Sequence, residues 1–168
     1  MTDAELGAVL DCVKKRENKR GRVLEATSLR ESKASVALPT RHGFVAIKAD
    51  RNNDAKCADF VVFLAAAPKL IVIAIETKAG GGHAAHAADQ IQAALHLAGQ
   101  DLTHCQAASQ DVDHLPLWIH GGGVRGLQLK ALRAARPALF GRKRPVAQRK
   151  AQPQAIVLTD VLRQEGLL

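Results

Sequence analysis

Two nearly unbroken apolar runs stand close together in the middle of the chain, Ala58 to Ala65 and Leu70 to Thr77, joined by Ala66-Ala67-Pro68-Lys69. A strand with one solvated face alternates apolar and polar residues, whereas a run that does not alternate belongs to a strand covered on both faces. The pair therefore predicts an antiparallel hairpin at the centre of a sheet with further layers on either side. The longest apolar run, Phe60 to Ala67, is far shorter than the ~18 residues that span a bilayer.

The flanking segments supply the expected layers. Leu6, Val9, Leu10 and Val13 recur at helical spacing, so an amphipathic helix is predicted over Ala4 to Arg16, with Asp3 as its cap. A second helix is predicted from Val23 to Val36, carrying Glu25 and Glu31 and ending before Pro39. Gly43 to Lys48 reads as a strand, and Arg51-Asn52-Asn53-Asp54 as a polar turn. Gly80-Gly81-Gly82 breaks the second apolar run and forms a lip ahead of a helix over Ala84 to Ala98, which carries Ala87, Ile91, Ala94, Leu95 and Ala98 on one side. A loop from Gln100 to His114, a strand over Leu115 to His120, and a final apolar strand or short helix over Ala155 to Leu162 complete the reading. The fold class is α/β, a mixed central β-sheet flanked by α-helices.

A chain of 168 residues suits one domain, and its net charge of +8 makes a polyanion or an anionic membrane surface the natural partner. The surplus is concentrated in Val124 to Lys150, which holds nine Lys or Arg residues and no acidic one. Arg125, Lys130, Arg133, Arg142, Lys143 and Arg144 are therefore candidate contacts to nucleic-acid phosphates, contacts that position a substrate without reading its sequence. With only five aromatic residues, base-stacking platforms are not expected. Acidic residues at the N-terminus do not suit a signal peptide, and Cys12, Cys57 and Cys105 share no short spacing, so reduced thiols and a cytoplasmic location are expected, with no membrane partner.

Chemistry enters at the open end of the hairpin. With its turn near Ala66 to Pro68, position sums of about 133 to 135 pair across it, and Asp59 falls opposite residues 74 to 76. Cβ atoms of such partners lie roughly 4.5 to 5.5 Å apart, and like charges there repel unless a positive charge sits between them. Glu76 and Lys78, two apart on a strand, project to the same side. Two carboxylates at the edge of an apolar sheet suit Mg²⁺ or Mn²⁺, with the Thr77 carbonyl as a further ligand. Such an ion polarises a phosphodiester, and Lys78 beside it orients an attacking water or stabilises developing charge. His83 and His86 lack a matching pair at zinc spacing, and His42, His96, His104, His114 and His120 join no nucleophile constellation.

The order Cys57-Ala58-Asp59-Phe60 on one strand, Ile75-Glu76-Thr77-Lys78-Ala79-Gly80 on the next, then a helix with Ala88-Asp89-Gln90-Ile91, resembles the PD-(D/E)xK nuclease superfamily of restriction endonucleases, repair nucleases and junction resolvases. The resemblance covers roughly Gly43 to Ala98, and Ala58 stands where the name-giving proline would be. It implies a restriction-endonuclease-like core and a Mg²⁺- or Mn²⁺-dependent nuclease, most naturally a deoxyribonuclease. Asp59 and Glu76 become metal ligands, Lys78 the catalytic lysine, and Gln90 a helix-borne polar residue near the site. An acidic residue from the first core helix, either Glu25 or Glu31, completes it. The single nuclease-like domain spans 1–168, with its core at about 23–120 and a basic C-terminal extension at about 121–168. A homodimer or a larger defence or repair complex is expected if both DNA strands are cut. The rival expectations are a nucleic-acid-binding or assembly protein that keeps the fold without turnover, and an RNA nuclease.

Overall fold

A computed structural model covers residues 1–168 and describes all of them except 32, 52–56, 79–83 and 125, with Arg51 described by its backbone alone. The chain opens with helix α1 (Asp3–Lys19), whose N-cap is Thr2 rather than the expected Asp3. The Thr2 side chain accepts from the Glu5 amide while the Glu5 carboxylate takes the Thr2 amide, a reciprocal capping box. Leu6, Val9, Leu10 and Val13 form its buried face, as the spacing predicts.

The helix expected over Val23 to Val36 is not there. In its place lie strands β1 (Val23–Leu24), β2 (Ser28–Glu31) and β3 (Ala34–Ala37). Leu29, Ala34 and Val36 are the buried residues of β2 and β3, a period of two rather than 3.6. The stretch also contains Val23, Thr27, Ser28, Ser35 and Val36, β-branched or hydroxylated residues that gain little from a helix. Tertiary contact settles the matter, because β1 joins the edge of the main sheet while β2 and β3 cover one of its faces.

Strand β4 (Phe44–Lys48) leads into a 3-10 turn at Ala49–Arg51, then into β5 (Phe60–Ala66) and β6 (Lys69–Lys78), the anticipated hairpin. The cis peptide at Ala67-Pro68 lies in its turn. Helix α2 (Ala84–His104) is longer than expected and absorbs the front of the predicted loop, and β7 (Val112–His120) absorbs its end. Beyond it come α3 (Leu127–Ala134), β8 (Ala138–Leu139), β9 (Arg142–Lys143), β10 (Ala147–Lys150), β11 (Ile156–Val157) and α4 (Leu158–Gln164).

Six strands form the central sheet in the order β1-β4-β5-β6-β7-β10. β1, β4, β5 and β6 are antiparallel neighbours, whereas β6, β7 and β10 run parallel, so the sheet is mixed. The parallel step from β6 to β7 requires a crossover, which α2 provides. One face carries Val61, Phe63, Leu70, Val72, Ala74 and Trp118 against α1, α2 and α3. The other carries Val62, Leu64, Ile71, Ile73, Ile75, Leu115 and Leu117 against α4 and the small sheet β11-β3-β2. The hairpin is therefore covered on both sides, as its lack of alternation requires. No described helix is long and apolar enough to cross a membrane.

Two features tie α1 to α2. Cys12 is disulfide-bonded to Cys105, with Cα atoms 5.8 Å apart, contrary to the expectation of three reduced thiols; Cys57 is free. A separation of 93 residues in sequence hides that proximity, which only the packing of the two helices creates. Nearby, buried Asp101 takes Arg16 at 2.5 Å and Arg20 at 3.2 Å, while Arg20 also reaches buried Glu17 at 2.6 Å. Burial, then the charge of Asp101, holds the Glu17 carboxyl above its ordinary range.

Candidate functional site

The hairpin ladder runs from Ala66↔Lys69 to Phe60↔Ile75, every pair summing to 135. One further step sets Asp59 opposite Glu76, at the top of the expected register. Both share the face that carries Val61, Phe63, Val72 and Ala74, where the helices lie. Asp59 precedes β5, and its position is held from three sides. Its carbonyl accepts from Ala49 N at 3.0 Å, its amide donates to Glu76 Oε2 at 3.2 Å, and its Oδ2 accepts from the Thr77 amide at 2.8 Å and the Thr77 hydroxyl at 2.6 Å. Thr77 thus serves the site by fixing the Asp59 carboxylate; its carbonyl is the atom that the metal expectation uses.

Glu76 is fully buried, and Lys78, two residues along the strand, places Nζ 2.6 Å from Glu76 Oε1. Burial and then the charge of Asp59 push the Glu76 carboxyl up to about 7, against the pull of Lys78. Burial also raises Asp59, against the two Thr77 hydrogen bonds and the charge of Lys48, with Glu31 adding to the rise. Two carboxylates resist ionising together here because the ammonium groups of Lys78 and Lys48 do not offset burial.

That shortage of positive charge is the test of fit for a hard divalent ion. Mg²⁺ takes one or two protein carboxylates and fills its other positions with water and phosphate, so Asp59 and Glu76 form an adequate donor set. Among the described residues no three His, Cys, Asp or Glu side chains converge as a metal-holding group.

The remaining expected residues are distributed as follows. Gln90 on α2 reaches the chain just before Asp59: its Nε2 donates to the Cys57 carbonyl at 3.4 Å, and its own carbonyl accepts from Ala58 N at 2.9 Å. It clamps the approach to Asp59 rather than touching the carboxylates. Glu25 is exposed and pairs with Lys14 at 2.8 Å. Glu31, on β2, pairs with Lys48 at 2.5 Å, and Lys48 lies 3.6 Å from Asp50 and over the Phe60 ring. Of the two glutamates, Glu31 is the one whose charge reaches Asp59. The helix that was to carry them is replaced by strands β1, β2 and β3, with Glu31 at the end of β2 and Glu25 between β1 and β2. Gly80, Gly81, Gly82, His83, Arg125 and the Asn52-Asn53-Asp54 turn lie outside the described residues. His86 is exposed on α2.

The basic segment is divided in its use. Arg142 donates to the carbonyls of Ser109 and Val112 and lies 3.8 Å from Asp113. Arg144 reaches the His114 and Glu165 carbonyls at 3.0 and 3.4 Å, and Arg149 pairs with Glu165 at 3.1 Å. These guanidiniums join the extension to the core. Lys130, Arg133, Lys143 and Lys150 are exposed.

Strand β7 brings up residues that the sequence reading left unassigned. Glu76 is the register partner of Trp118, and Lys78 of His120. The Trp118 and His120 rings meet at 4.8 Å between centroids. Trp118 Nε1 and His120 Nδ1 are both buried without a hydrogen-bond partner among the described residues. A signal was present in the chain: Lys78-Ala79-Gly80-Gly81-Gly82 and His120-Gly121-Gly122-Gly123 each set a polar strand end before three glycines.

Comparison with protein-family models, with curated proteins and with solved structures found no match.

Proposed function

We propose that this chain is a metal-dependent nuclease that hydrolyses phosphodiester bonds in DNA, on a core of the restriction-endonuclease-like, PD-(D/E)xK type. The observation that carries the reading is the convergence of Asp59, Glu76 and Lys78 at one end of a buried hairpin, with the Glu76 carboxyl raised to about 7 by burial and its acidic neighbour. Perturbed acids of this kind, facing one another at the end of two central strands, cluster at functional sites. The path of the chain agrees with the reading: three antiparallel strands, a helical crossover, then a parallel strand.

Asp59 and Glu76 would hold Mg²⁺ or Mn²⁺. When bound, that ion supplies positive charge that polarises the phosphodiester and acidifies water. Thr77 keeps the Asp59 carboxylate in one orientation through two hydrogen bonds, so the donor set is preorganised. Lys78, now drawn to Glu76, is the compact cation free to turn toward a non-bridging phosphate oxygen once the carboxylates are otherwise neutralised. Gln90 steadies the Cys57-Ala58 backbone that delivers Asp59.

The test is incubation with supercoiled, linear and branched DNA and with RNA, with and without Mg²⁺ or Mn²⁺. Metal-dependent nicking or degradation of DNA that disappears in Lys78→Ala, with an unchanged melting curve, is the expected result. Undiminished cleavage in Lys78→Ala refutes the role of that lysine; cleavage of RNA alone shifts the substrate.

A second reading, a nucleic-acid-binding or assembly protein without turnover, draws on the existing Lys78–Glu76 ion pair, which already sets a cation against the buried carboxylate. A thermal shift with Mn²⁺ that vanishes in Asp59→Ala favours the enzyme.

A further inference from the structure

The parallel half of the sheet carries a second feature on the same face as the carboxylates. Lys78 ends β6, its partner on β7 is His120, and the partner of His120 on β10 is Lys150. Register partners point to one face, and here it is the helical face, marked by Ala74 on β6, Trp118 on β7 and Val146 ahead of β10. Adjacent strands lie about 4.8 Å apart, so the three side chains form a row roughly 10 Å long. It starts one same-face step, about 7 Å, from Glu76.

The backbone holds this row in place beyond the ladder itself. Gly121 N donates to the Lys78 carbonyl at 2.9 Å, and Ala151 N donates to the His120 carbonyl at 2.8 Å. The Lys150 stem passes beside the turn at Gly122 (φ +123°), its Cε 3.5 Å from the place a Cβ would occupy, an ordinary contact distance. The row contains two cations and an imidazole and no acid. Lys78 is drawn toward Glu76, whereas Lys150, which is exposed, makes no ion pair among the described residues. His120, half-buried, carries an N–H in either protonation state; its Nδ1 is buried and has no hydrogen-bond partner among the described residues.

We propose that Lys78, His120 and Lys150 form a phosphate-binding row that grips the backbone of a nucleic-acid strand next to the one bond held at Asp59 and Glu76. The proposal rests on the reading of those carboxylates as a phosphodiesterase site and adds to it the track along which the strand leaves. A polyanion with a charge every 3.4 Å along each strand places more than one phosphate on a ledge of this length. His120 and Lys150 act here as binding residues, and the indole of Trp118 beneath the imidazole fixes its tilt. The row also gives the basic extension a task distinct from joining itself to the core: β10 delivers one cation to the site.

The experiment uses the full chain with a fluorescent DNA duplex and a single-stranded oligonucleotide, in chelator so that no turnover occurs, and reads affinity against salt. Lys150→Ala is expected to weaken binding about 5- to 10-fold and to lower the salt slope by about one, the signature of a lost phosphate contact. His120→Ala weakens it about 3- to 10-fold, and His120→Gln, which keeps an N–H, recovers part of the loss. Lys15→Ala, an exposed lysine on α1, leaves affinity within about twofold. With metal restored, Lys150→Ala raises KM and leaves kcat nearly unchanged, the pattern of uniform binding. Wild-type binding with unaltered affinity and slope in both Lys150→Ala and His120→Ala overturns the row while the nuclease reading stands on cleavage. A wild-type chain that neither binds nor cuts nucleic acid overturns both.

Discussion

Replacing Glu76 by glutamine isolates the electrostatic cost of the candidate site. The side chain is fully buried and its carboxyl is raised from 4.5 to about 7, first by burial and next by Asp59. A rise of about two and a half units at ~1.36 kcal/mol each amounts to roughly 3 kcal/mol. The folded chain binds this proton more tightly than the unfolded chain, so stability is lost as pH rises. Below pH 4.5 both states are protonated and there is no penalty; between 4.5 and 7 it accumulates; above 7 it is complete. Glu76→Gln carries no such penalty. In chelator, its stability relative to wild type should therefore improve by about 3 kcal/mol between pH 4.5 and 8, which for a chain of this size is about 6–12 °C in melting temperature. Thermal melts of both proteins across that range measure the gap, and groups common to the two cancel. Adding Asp59→Asn to both backgrounds should shrink the gap, because the Asp59 charge is part of its cause. A gap that does not change with pH would show that Glu76 is neither desolvated nor coupled to Asp59.

Three further outcomes are expected. Thr77→Val removes the hydroxyl that donates to Asp59 Oδ2 and should cost about 1–2 kcal/mol at neutral pH in chemical denaturation, with Thr77→Ser restoring most of it. Arg142→Ala should lower stability by about 1 kcal/mol by freeing the Ser109 and Val112 carbonyls, whereas Lys143→Ala leaves stability unchanged and weakens DNA binding; the reverse pattern would refute the division of the basic segment. Cys12→Ser should lower stability by about 2–4 kcal/mol and abolish the mobility difference between reduced and unreduced samples in gel electrophoresis; equal mobility of the two wild-type samples would contradict the Cys12–Cys105 bond.

What could be read from the residues followed a simple physical division. The hairpin was legible because strands covered on both faces leave a local mark, and Pro68 locates the turn, so Asp59 and Glu76 could be set opposite one another to within one register step. Helix α2 was legible for the same reason, a strong local pattern over many residues. The strands β2 and β3 were not, since a short stretch with Glu25, Arg30, Glu31 and Lys33 suits either period until a sheet is present to cover. The partnership of Lys78, His120 and Lys150 was hidden by its topology: parallel register joins positions 42 and 30 residues apart, and no local rule specifies it. Composition revealed the charge of the extension, but not that Arg142, Arg144 and Arg149 are occupied by carbonyls and acids of their own chain.

The outermost strands of the central sheet have a bearing on how the molecule behaves among its copies. At one margin stands β1, two residues long; at the other stands β10, which carries Gln148, Arg149 and Lys150. An exposed strand margin is a template for aggregation, and brevity and positive charge are the means by which proteins blunt it. The very apolar strands β5 and β6 are thereby kept three places from one border and two from the other, out of reach of a neighbour's backbone. Continuation of the central sheet into a second copy is thereby disfavoured.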